Sequence, residues 1–245
     1  MSLLYVSGDR LPDQILGESG LFESGLFESA GPDEAESLAA EFETVDAHRR
    51  TVLFREGDPG DYLYVLLSGK VKLGRHATDG REGLLALVGP GEQFGDVELF
   101  DGGPRVTTAT VVADARLARL HKTALYRWIA QHPDVAERLL RVVARRIRGN
   151  RSTVHDRLFS DVPGRVAGQL IQLASQFGVA EDGATRVVHD LTQTELAQFV
   201  GASRESVNKV LAHYASRGWV RLEHKCIVIL DDAPLARRAQ HKRRR

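Results

Sequence analysis

The sequence has almost no cysteine and no long hydrophobic run, and each shortage excludes a class of protein. Cys226 is the single cysteine, so no intramolecular disulfide framework and no multi-cysteine zinc or iron–sulfur site can form. No apolar run approaches the roughly 18–20 residues that a membrane helix needs. Residues 1–10 also lack the basic and apolar segments of a signal peptide. We therefore expect a cytoplasmic protein with no membrane partner.

The signatures of common enzymes are missing as well. The sequence contains no Gly-x-Ser-x-Gly, His-Glu-x-x-His or Gly-x-x-x-x-Gly-Lys-Ser/Thr motif. The nine histidines are scattered along the chain, so we expect no catalytic residues and no metal site. An iron–sulfur sensor is disfavoured because the cysteines of a cluster are absent, and an absorbance spectrum would test for haem.

The charge differs between the two parts of the chain, although 33 basic and 33 acidic residues cancel overall. Residues 1–150 carry 18 Lys and Arg against 23 Asp and Glu, a net charge of −5. Residues 151–245 carry 15 against 10, a net charge of +5. Because 42% of all residues are hydrophobic, the chain can bury real cores. The split favours two modules, the second with a polyanionic partner such as nucleic acid.

Short apolar runs separated by turns fill the first module. The runs include 51–55, 62–67, 70–73, 84–88, 107–112 and 116–120, with separators such as Gly57-Asp-Pro-Gly60, Ser68-Gly69 and Gly89-Pro-Gly91. Many short strands with Gly and Pro turns at this spacing are typical of an antiparallel sandwich or barrel. The preceding acidic residues, which repeat the pentapeptide Glu-Ser-Gly-Leu-Phe, are interpreted as an arm.

After Pro133 the spacing of apolar residues changes to three or four, which predicts one long amphipathic helix. The apolar positions are Val135, Leu139, Val142, Val143, Ile147 and Val154. A helix of roughly 25 residues is about 35–40 Å long, more than one small barrel can cover. Its apolar stripe therefore predicts the seam of a parallel homodimer.

The remainder of the chain follows the order of a winged helix-turn-helix. Helical stretches at 164–177, 192–200 and 204–216 precede a strand pair at 218–222 and 226–230. Thr192 and Glu195 fit a capping box, in which each side chain bonds the backbone amide of the other. Gly201 ends that helix, and the next helix begins at Arg204. In this motif the second helix enters the major groove of DNA.

Polar residues of the second helix are suited to reading bases. An arginine can bond guanine O6 and N7 together, and a glutamate can accept a hydrogen bond from cytosine N4. Arg204 and Glu205 stand at the start of the helix, where contacts to base edges are made. The candidate DNA contacts are Thr192, Ser203, Arg204, Glu205, Asn208, Lys209 and Lys225.

Three segments resemble the CRP/FNR transcription regulators, especially the actinobacterial cyclic-AMP receptor proteins. They are Asp161-Val-Pro-Gly-Arg-Val-Ala167, residues 190–209 and Arg217-Gly-Trp-Val-Arg-Leu-Glu223. The resemblance covers about residues 30–240 and implies that Arg204, Glu205 and Lys209 lie in the major groove, with Thr192 and Lys225 near phosphates. Lys209 stands where many members carry arginine, so discrimination there is expected to be softer.

The same resemblance implies that the first module is a cyclic-nucleotide-binding β-roll with cyclic AMP as the leading ligand. Its signature runs from Phe94 to Ala109. A short helix led by Gly95 offers backbone amides to a cyclic phosphate, and Arg105 supplies the opposite charge. The candidate nucleotide contacts are Gly95, Asp96, Val97, Arg105, Val106, Asn150 and Arg151.

This candidate nucleotide site departs from the family pattern at four positions. Asp96 replaces the Glu that binds the ribose hydroxyl, and Val106 replaces the Ser or Thr that bonds the phosphate. Asn150 and Arg151 replace the Thr-Asn or Thr-Ser pair that contacts adenine. Because the lost hydrogen bonds are not replaced, we expect weak cyclic-AMP binding that is loosely coupled to DNA.

We therefore predict an α+β protein with five regions. They are an acidic arm (1–30), a jelly-roll β-roll (31–132), a dimerisation helix (133–160), a winged helix-turn-helix domain (161–236) and a basic tail (237–245). The resemblance implies a homodimer on a palindromic operator of double-stranded DNA, acting with RNA polymerase. Two alternatives stay open: a regulator that works without nucleotide or with another effector, and a nucleotide-binding subunit that never touches DNA.

Overall fold

The structure, a computed structural model, describes residues 5–7, 31–76, 82–133, 136–137, 139–141, 144 and 160–240. The chain divides into two compact units. The N-terminal unit includes residues 31–75 and 85–141, and the C-terminal unit includes 160–240. Most of the predicted arm (1–30) and of the predicted dimerisation helix (133–160) lies outside the described residues.

Strands dominate the described part of the N-terminal unit. They are β1 (Tyr5–Ser7), β2 (Glu43–Ala47), β3 (Val52–Phe54), β4 (Tyr62–His76), β5 (Glu82–Val88), β6 (Gln93–Phe94) and β7 (Thr108–His121). The sheet has the order β1-β2-β7-β4-β5, with β3 paired to β7 and β6 paired to β4. Strands β2, β3 and β4 all run antiparallel to β7. The predicted antiparallel β architecture is confirmed.

Strand β4 is longer than the sequence predicts. Ser68-Gly69 predicts a turn between two strands, but β4 runs through it, and its register against β7 shifts between Leu66 and Val71. Such a shift is a β-bulge, which bends a strand without ending it. The predicted turn is wrong because glycine within a strand can mark a bulge instead of the end of the strand.

Alternate residues of β4 face two separate cores. The helices of this unit include α1 (Pro32–Ala39), α2 (Val97–Asp101) and α3 (Lys122–Gln131). Leu63 and Val65 pack in a core that includes Trp128 of α3. Tyr64 and Leu66 pack in the second core, which lies within the sheet. Side chains of a strand point to opposite faces in turn, so β4 is buried on both sides.

The C-terminal unit consists of helices around a small antiparallel sheet. Its elements are α4 (Val162–Phe177), β8 (Gly178–Glu181), β9 (Ala184–Val188), α5 (Gln193–Val200), α6 (Arg204–Ser216), β10 (Val220–Glu223), β11 (Cys226–Ile229) and α7 (Asp232–Ala239). The strand order is β10-β11-β9-β8. The three predicted helices and the two-stranded wing are confirmed.

The hairpin of β8 and β9 is missing from the sequence prediction. Its turn is formed by Asp182 and Gly183, whose φ angles are 48° and 78°. Asp-Gly with two positive φ angles is the preferred pair of a two-residue hairpin turn. The dipeptide therefore was a usable signal, but the flanking strands are short and lack a strong apolar pattern.

Helix α7 includes the first residues of the predicted basic tail. Arg237 and Arg238 belong to this helix, and Arg238 Nη2 lies 2.6 Å from Asp161 Oδ2. Leu235 of the same helix is fully buried. The boundary predicted at residue 236 falls within this helix, and residues 241–245 lie outside the described part.

Gly201, which ends α5, is expected to be more sensitive to substitution than Gly168 in α4. Gly201 has φ 70°, and nothing lies within 4 Å of the place that a β-carbon would take. Gly201→Ala therefore adds only backbone strain, about 1–2 kcal/mol of unfolding free energy. At Gly168 a β-carbon would meet Ala239 Cβ at 3.8 Å, an ordinary contact. Gly168→Ala should stabilise the chain by about 0.5–1 kcal/mol.

Urea denaturation measures both substitutions. The two changes add the same methyl group but are expected to shift the unfolding midpoint in opposite directions. Stabilisation by Gly201→Ala would contradict the assigned left-handed conformation.

Candidate functional site

The turn between α5 and α6 is built by side chains that cap both helices. Thr192 Oγ1 accepts a hydrogen bond from Glu195 N at 3.2 Å, and Glu195 Oε2 accepts one from Thr192 N at 2.7 Å. The predicted capping box is therefore present. Ser203 Oγ caps α6 by accepting a hydrogen bond from Ser206 N at 3.1 Å. The local sequence thus fixes where each helix begins.

Helix α6 has one buried face and one exposed face. Val207, Leu211 and Tyr214 are at most 1% exposed. The four polar residues predicted to read DNA are all exposed: Arg204, Glu205, Asn208 and Lys209. The helix therefore exposes hydrogen-bonding side chains to solvent while its opposite face is buried within the C-terminal unit.

Glu205 and Lys209 contact each other on the exposed face. Lys209 Nζ lies 2.7 Å from Glu205 Oε1, and the side chains are 75% and 78% exposed. An exposed ion pair one helical turn apart adds little stability. Both side chains can therefore leave this pair for another partner.

The other three predicted DNA contacts lie at the edges of these elements. Thr192 and Ser203 are exposed, and their hydroxyl oxygens accept the capping hydrogen bonds. Lys225 is half-buried at the wing turn with φ 54°. Its carbonyl accepts a hydrogen bond from His189 N at 3.1 Å, which ties the wing to the end of β9.

Arg165 of α4, a residue without a predicted role, holds the turn of the helix-turn-helix. Its Nε donates to Val200 O at 3.1 Å and its Nη2 to Gly201 O at 3.1 Å. Its Nη1 donates to Ser160 O at 3.0 Å. Carbonyl groups at the end of a helix lack hydrogen-bond donors within that helix. Arg165 supplies the donors for two of these carbonyl groups. No local signal marks this role, because the contacts with Val200 and Gly201 span 35 and 36 residues of sequence.

A charged network joins the two hairpins of the C-terminal unit. Arg186 of β9 contacts Glu223 of β10 at 2.7 Å and Glu181 of β8 at 2.8 Å. Arg221 Nε also contacts Glu223 Oε1 at 3.0 Å. The hydrogen bond from Arg186, and then that from Arg221, lowers the pKa of Glu223. These arginines are already compensated and are weaker candidates for phosphate contacts than Lys225.

Arg105 of the N-terminal unit lies at the point predicted to bind a phosphate and is 2% exposed. Its Nη1 donates to Gly95 O at 2.9 Å, and its Nη2 donates to Tyr62 O. The guanidinium carbon lies 4.1 Å from the centre of the Phe54 ring, a cation–π contact. Gly95 has φ 75°, and a β-carbon there would lie 2.6 Å from Arg105 Nη1. Glycine permits both features.

The carboxylate that pairs with Arg105 belongs to Glu98, which is absent from the predicted site. Glu98 Oε2 lies 3.1 Å from Arg105 Nη1. Glu98 Oε1 accepts a hydrogen bond from Val106 N at 3.0 Å. Asp96, the predicted ribose contact, is half-buried directly before α2. No spacing rule singles out Glu98, because the loop between α2 and β7 creates its contact with Arg105.

The remaining predicted nucleotide contacts lie partly on the surface and partly outside the described residues. The side chains of Val97 and Val106 are on the surface, at 57% and 45% exposure. Asn150 and Arg151 lie outside the described residues. Their roles, like those of Gly95 and Asp96, stay predictions.

The described part of the chain shows no metal-binding or membrane-spanning feature. It holds no group of three or more His, Cys, Asp or Glu side chains that could bind a metal ion. None of its helices is both long enough and apolar enough to span a bilayer. Cys226 is buried, and its Sγ accepts a hydrogen bond from Arg186 Nη1 at 3.2 Å.

The two units define a class of protein. The C-terminal unit combines a capped helix-turn-helix, an exposed polar helix and a hairpin wing, which is the arrangement of a winged-helix DNA-binding domain. The N-terminal unit surrounds a buried arginine with an antiparallel sheet. A chain with both units is a DNA-binding transcription regulator with an attached ligand-binding fold.

Comparison with known sequences assigns both units. Residues 44–132 match the model of the cyclic nucleotide-binding domain, and residues 164–238 match that of the Crp-like helix-turn-helix domain. The CRP-like cAMP-activated global transcriptional regulator of Mycobacterium tuberculosis is 51% identical over 228 residues. The match covers 93% of this chain and 100% of that relative.

Solved structures share this fold. A transcriptional regulator of the CRP/FNR family from Thermus thermophilus is 30% identical, with a TM-score of 0.61 over 82% of this chain and 100% of that one. FixK2 from Bradyrhizobium japonicum has a TM-score of 0.70 at 19% identity, over 79% and 95% of the two chains, and shows the fold alone. The chain belongs to the CRP/FNR family of transcription regulators.

Tyr214 is expected to make the stability of the C-terminal unit depend on alkaline pH. Its hydroxyl donates to Pro163 O at 2.8 Å, and burial raises its pKa to about 12. The unfolded chain releases this proton near pH 10, whereas the folded unit keeps it. Stability should therefore be complete below about pH 10 and fall between about pH 10 and 12.

Urea unfolding at a series of alkaline pH values measures this effect. Tyr214→Phe removes the titrating group while keeping the ring beside Trp219, 5.0 Å away between ring centres. In this variant the free energy of unfolding should fall less steeply between about pH 10 and 12, because Tyr214 no longer contributes. An identical slope in both proteins would assign the alkaline loss to other groups.

Proposed function

We propose that the protein binds a palindromic operator as a homodimer and that α6 reads bases in the major groove. One observation carries the proposal: α6 exposes Arg204, Glu205 and Lys209, while its opposite face packs into the C-terminal unit. The N-terminal residues of a recognition helix contact base edges. Arg204 and Glu205 are the first two residues of α6.

Each exposed side chain of α6 has a distinct role in this proposal. Arg204 donates two hydrogen bonds to guanine O6 and N7, and Glu205 accepts one from cytosine N4. Asn208 can bond N6 and N7 of adenine. Lys209 makes a point contact where a family arginine would make a two-pronged one, so it discriminates bases less sharply.

Residues beside the recognition helix set its register on DNA. Thr192, Ser203 and Lys225 contact backbone phosphates, which orient a protein without reading sequence. Twofold-related copies of α6 must enter successive major grooves about 34 Å apart. The operator therefore has two inverted half-sites similar to the TGTGA of the family. Residues 133–160 join the two protomers, which act in the cytoplasm with RNA polymerase.

Cyclic AMP is the proposed effector of the N-terminal unit. The relative from M. tuberculosis is described as cAMP-activated, and Arg105 provides a positive charge for a cyclic phosphate. Val106 offers no hydroxyl to that phosphate, and each lost hydrogen bond removes about 0.5–1.5 kcal/mol. Weak binding follows. Regulation without nucleotide is the second candidate, favoured by the carboxylate of Glu98 that already compensates Arg105.

Arg204→Ala is expected to weaken operator binding by about 1–3 kcal/mol and to relax selectivity at one base pair. The reason is the loss of a two-pronged contact with one base. Arg217→Ala is the matched control, because Arg217 is exposed at the other end of the same helix. Its removal takes away the same charge and should have a small effect that is equal on all sequences.

Fluorescence anisotropy with operator, single-base variants and random DNA measures both substitutions at fixed salt. An equal loss on operator and random DNA after Arg204→Ala would assign Arg204 to a phosphate. Full operator binding by Arg204→Ala would remove α6 from the reading of bases.

The nucleotide-free protein is expected to bind its operator measurably, with cyclic AMP adding less than about tenfold, roughly 1.4 kcal/mol. A ligand shifts a conformational equilibrium only by its differential affinity for the two states, and the altered site reduces that difference. The triple variant Val106→Thr, Asn150→Thr and Arg151→Asn should increase both affinity and coupling. A protein that is silent until cyclic AMP gives a hundredfold gain would contradict this expectation.

A further inference from the structure

The two carboxylate oxygens of Glu98 accept from two donors at the point predicted for a phosphate. Oε2 lies 3.1 Å from Arg105 Nη1, and Oε1 accepts the hydrogen bond of Val106 N at 3.0 Å. A guanidinium and a backbone N–H are donors that proteins commonly use for phosphate oxygens. The Glu98 carboxylate therefore occupies the position between Arg105 and Val106 that an external anion would take.

This ion pair is shielded from water. The side chains of Arg105 and Glu98 are 2% and 4% exposed, and Phe54 covers the guanidinium. A buried charge without a partner of opposite charge is strongly unfavourable. Glu98 and Arg105 therefore need each other while both side chains are shielded from water. A phosphate that entered beside Glu98 would leave one negative charge uncompensated.

Arg105 nevertheless keeps unused bonding capacity. Its Nε is buried and has no hydrogen-bond partner among the described residues. Buried donors are normally satisfied, and the two oxygens of Glu98 are already used by Arg105 Nη1 and Val106 N. A cyclic phosphate, with two exocyclic and two ring oxygens, has more acceptors to offer this set of donors.

A cavity next to α2 gives the side chain of Glu98 another place. Its volume is about 390 Å³, and its lining includes Glu98, Asp61, Lys122 and Tyr126. The ammonium group of Lys122 pairs there with Asp61. A carboxylate that left Arg105 would thus find space beside the ion pair of Lys122 and Asp61 within the same unit.

We propose that Glu98 is the resident occupant of the phosphate position and thereby determines the specificity of this site. A cyclic nucleotide reaches Arg105 and Val106 N only when Glu98 leaves them. The inference rests on the proposed nucleotide function and adds the competitor that sets the affinity. The role of Glu98 differs from the effect of Val106. Val106 deprives the nucleotide of a hydrogen bond, whereas the competing carboxylate of Glu98 can be removed without adding any contact to the nucleotide.

Calorimetric titration of the full-length Glu98→Gln protein with cyclic AMP tests this competition. Glutamine has nearly the same shape but no charge, so Arg105 becomes available to a phosphate. We expect at least tenfold tighter binding than in the unsubstituted protein. Glu43→Gln is the matched control, because Glu43 is a 55% exposed carboxylate paired with Arg119, and it should leave the affinity unchanged. A folded Glu98→Gln protein with unchanged or weaker affinity overturns the proposal.

Glu98→Asp provides a second test if the neutral variant does not fold. It keeps the charge, but its carboxylate is one methylene shorter and cannot hold both donors. Its affinity for cyclic AMP should exceed that of the unsubstituted protein, and no gain in this folded variant overturns the proposal. Operator binding by the unsubstituted protein is measured alongside. Its absence would refute the DNA function, whereas a gain in affinity from Glu98→Gln would still support the role of Glu98.

Discussion

The buried guanidinium of Arg105 dictates how its surroundings in the N-terminal unit are arranged. Arginine stays charged even in a protein interior, so folding must bring acceptors to it from separate parts of the chain. The carbonyl of Tyr62 comes from the start of β4, that of Gly95 from the end of β6, and the carboxylate of Glu98 from α2. The segment from β6 to β7 therefore cannot change shape without disturbing the compensation of a buried charge. This constraint makes the segment a natural place for a ligand to act.

The C-terminal unit solves a similar problem with contacts of its own. Arg165 satisfies two carbonyls at the end of α5, Tyr214 bonds Pro163 O, and Arg238 pairs with Asp161. All of these partners lie within the C-terminal unit. The shape of the helix-turn-helix face thus follows from packing within this unit.

Features that depend on residues close together in the sequence can be predicted from it, whereas contacts between residues far apart in the sequence cannot. The capping box at Thr192 and the turn at Gly201 each depend on a few consecutive residues. The helix-turn-helix could therefore be predicted from the sequence. Arg165 reaches carbonyls 35 and 36 positions away, and no local pattern encodes that. The hairpin at Asp182 did carry a local signal, but its strands were too short to reveal a period. The resemblance singled out Arg105, yet it could not show which carboxylate compensates this residue.

Charge balance links the family likeness to the behaviour expected of this particular chain. Arg105 and Glu98 together are neutral, and a cyclic nucleotide brings one negative charge. In the proposed competition, binding exchanges one anion for another instead of adding one, and the affinity is the difference between two similar interactions. A difference of this kind responds strongly to one side chain on α2 while the fold stays the same.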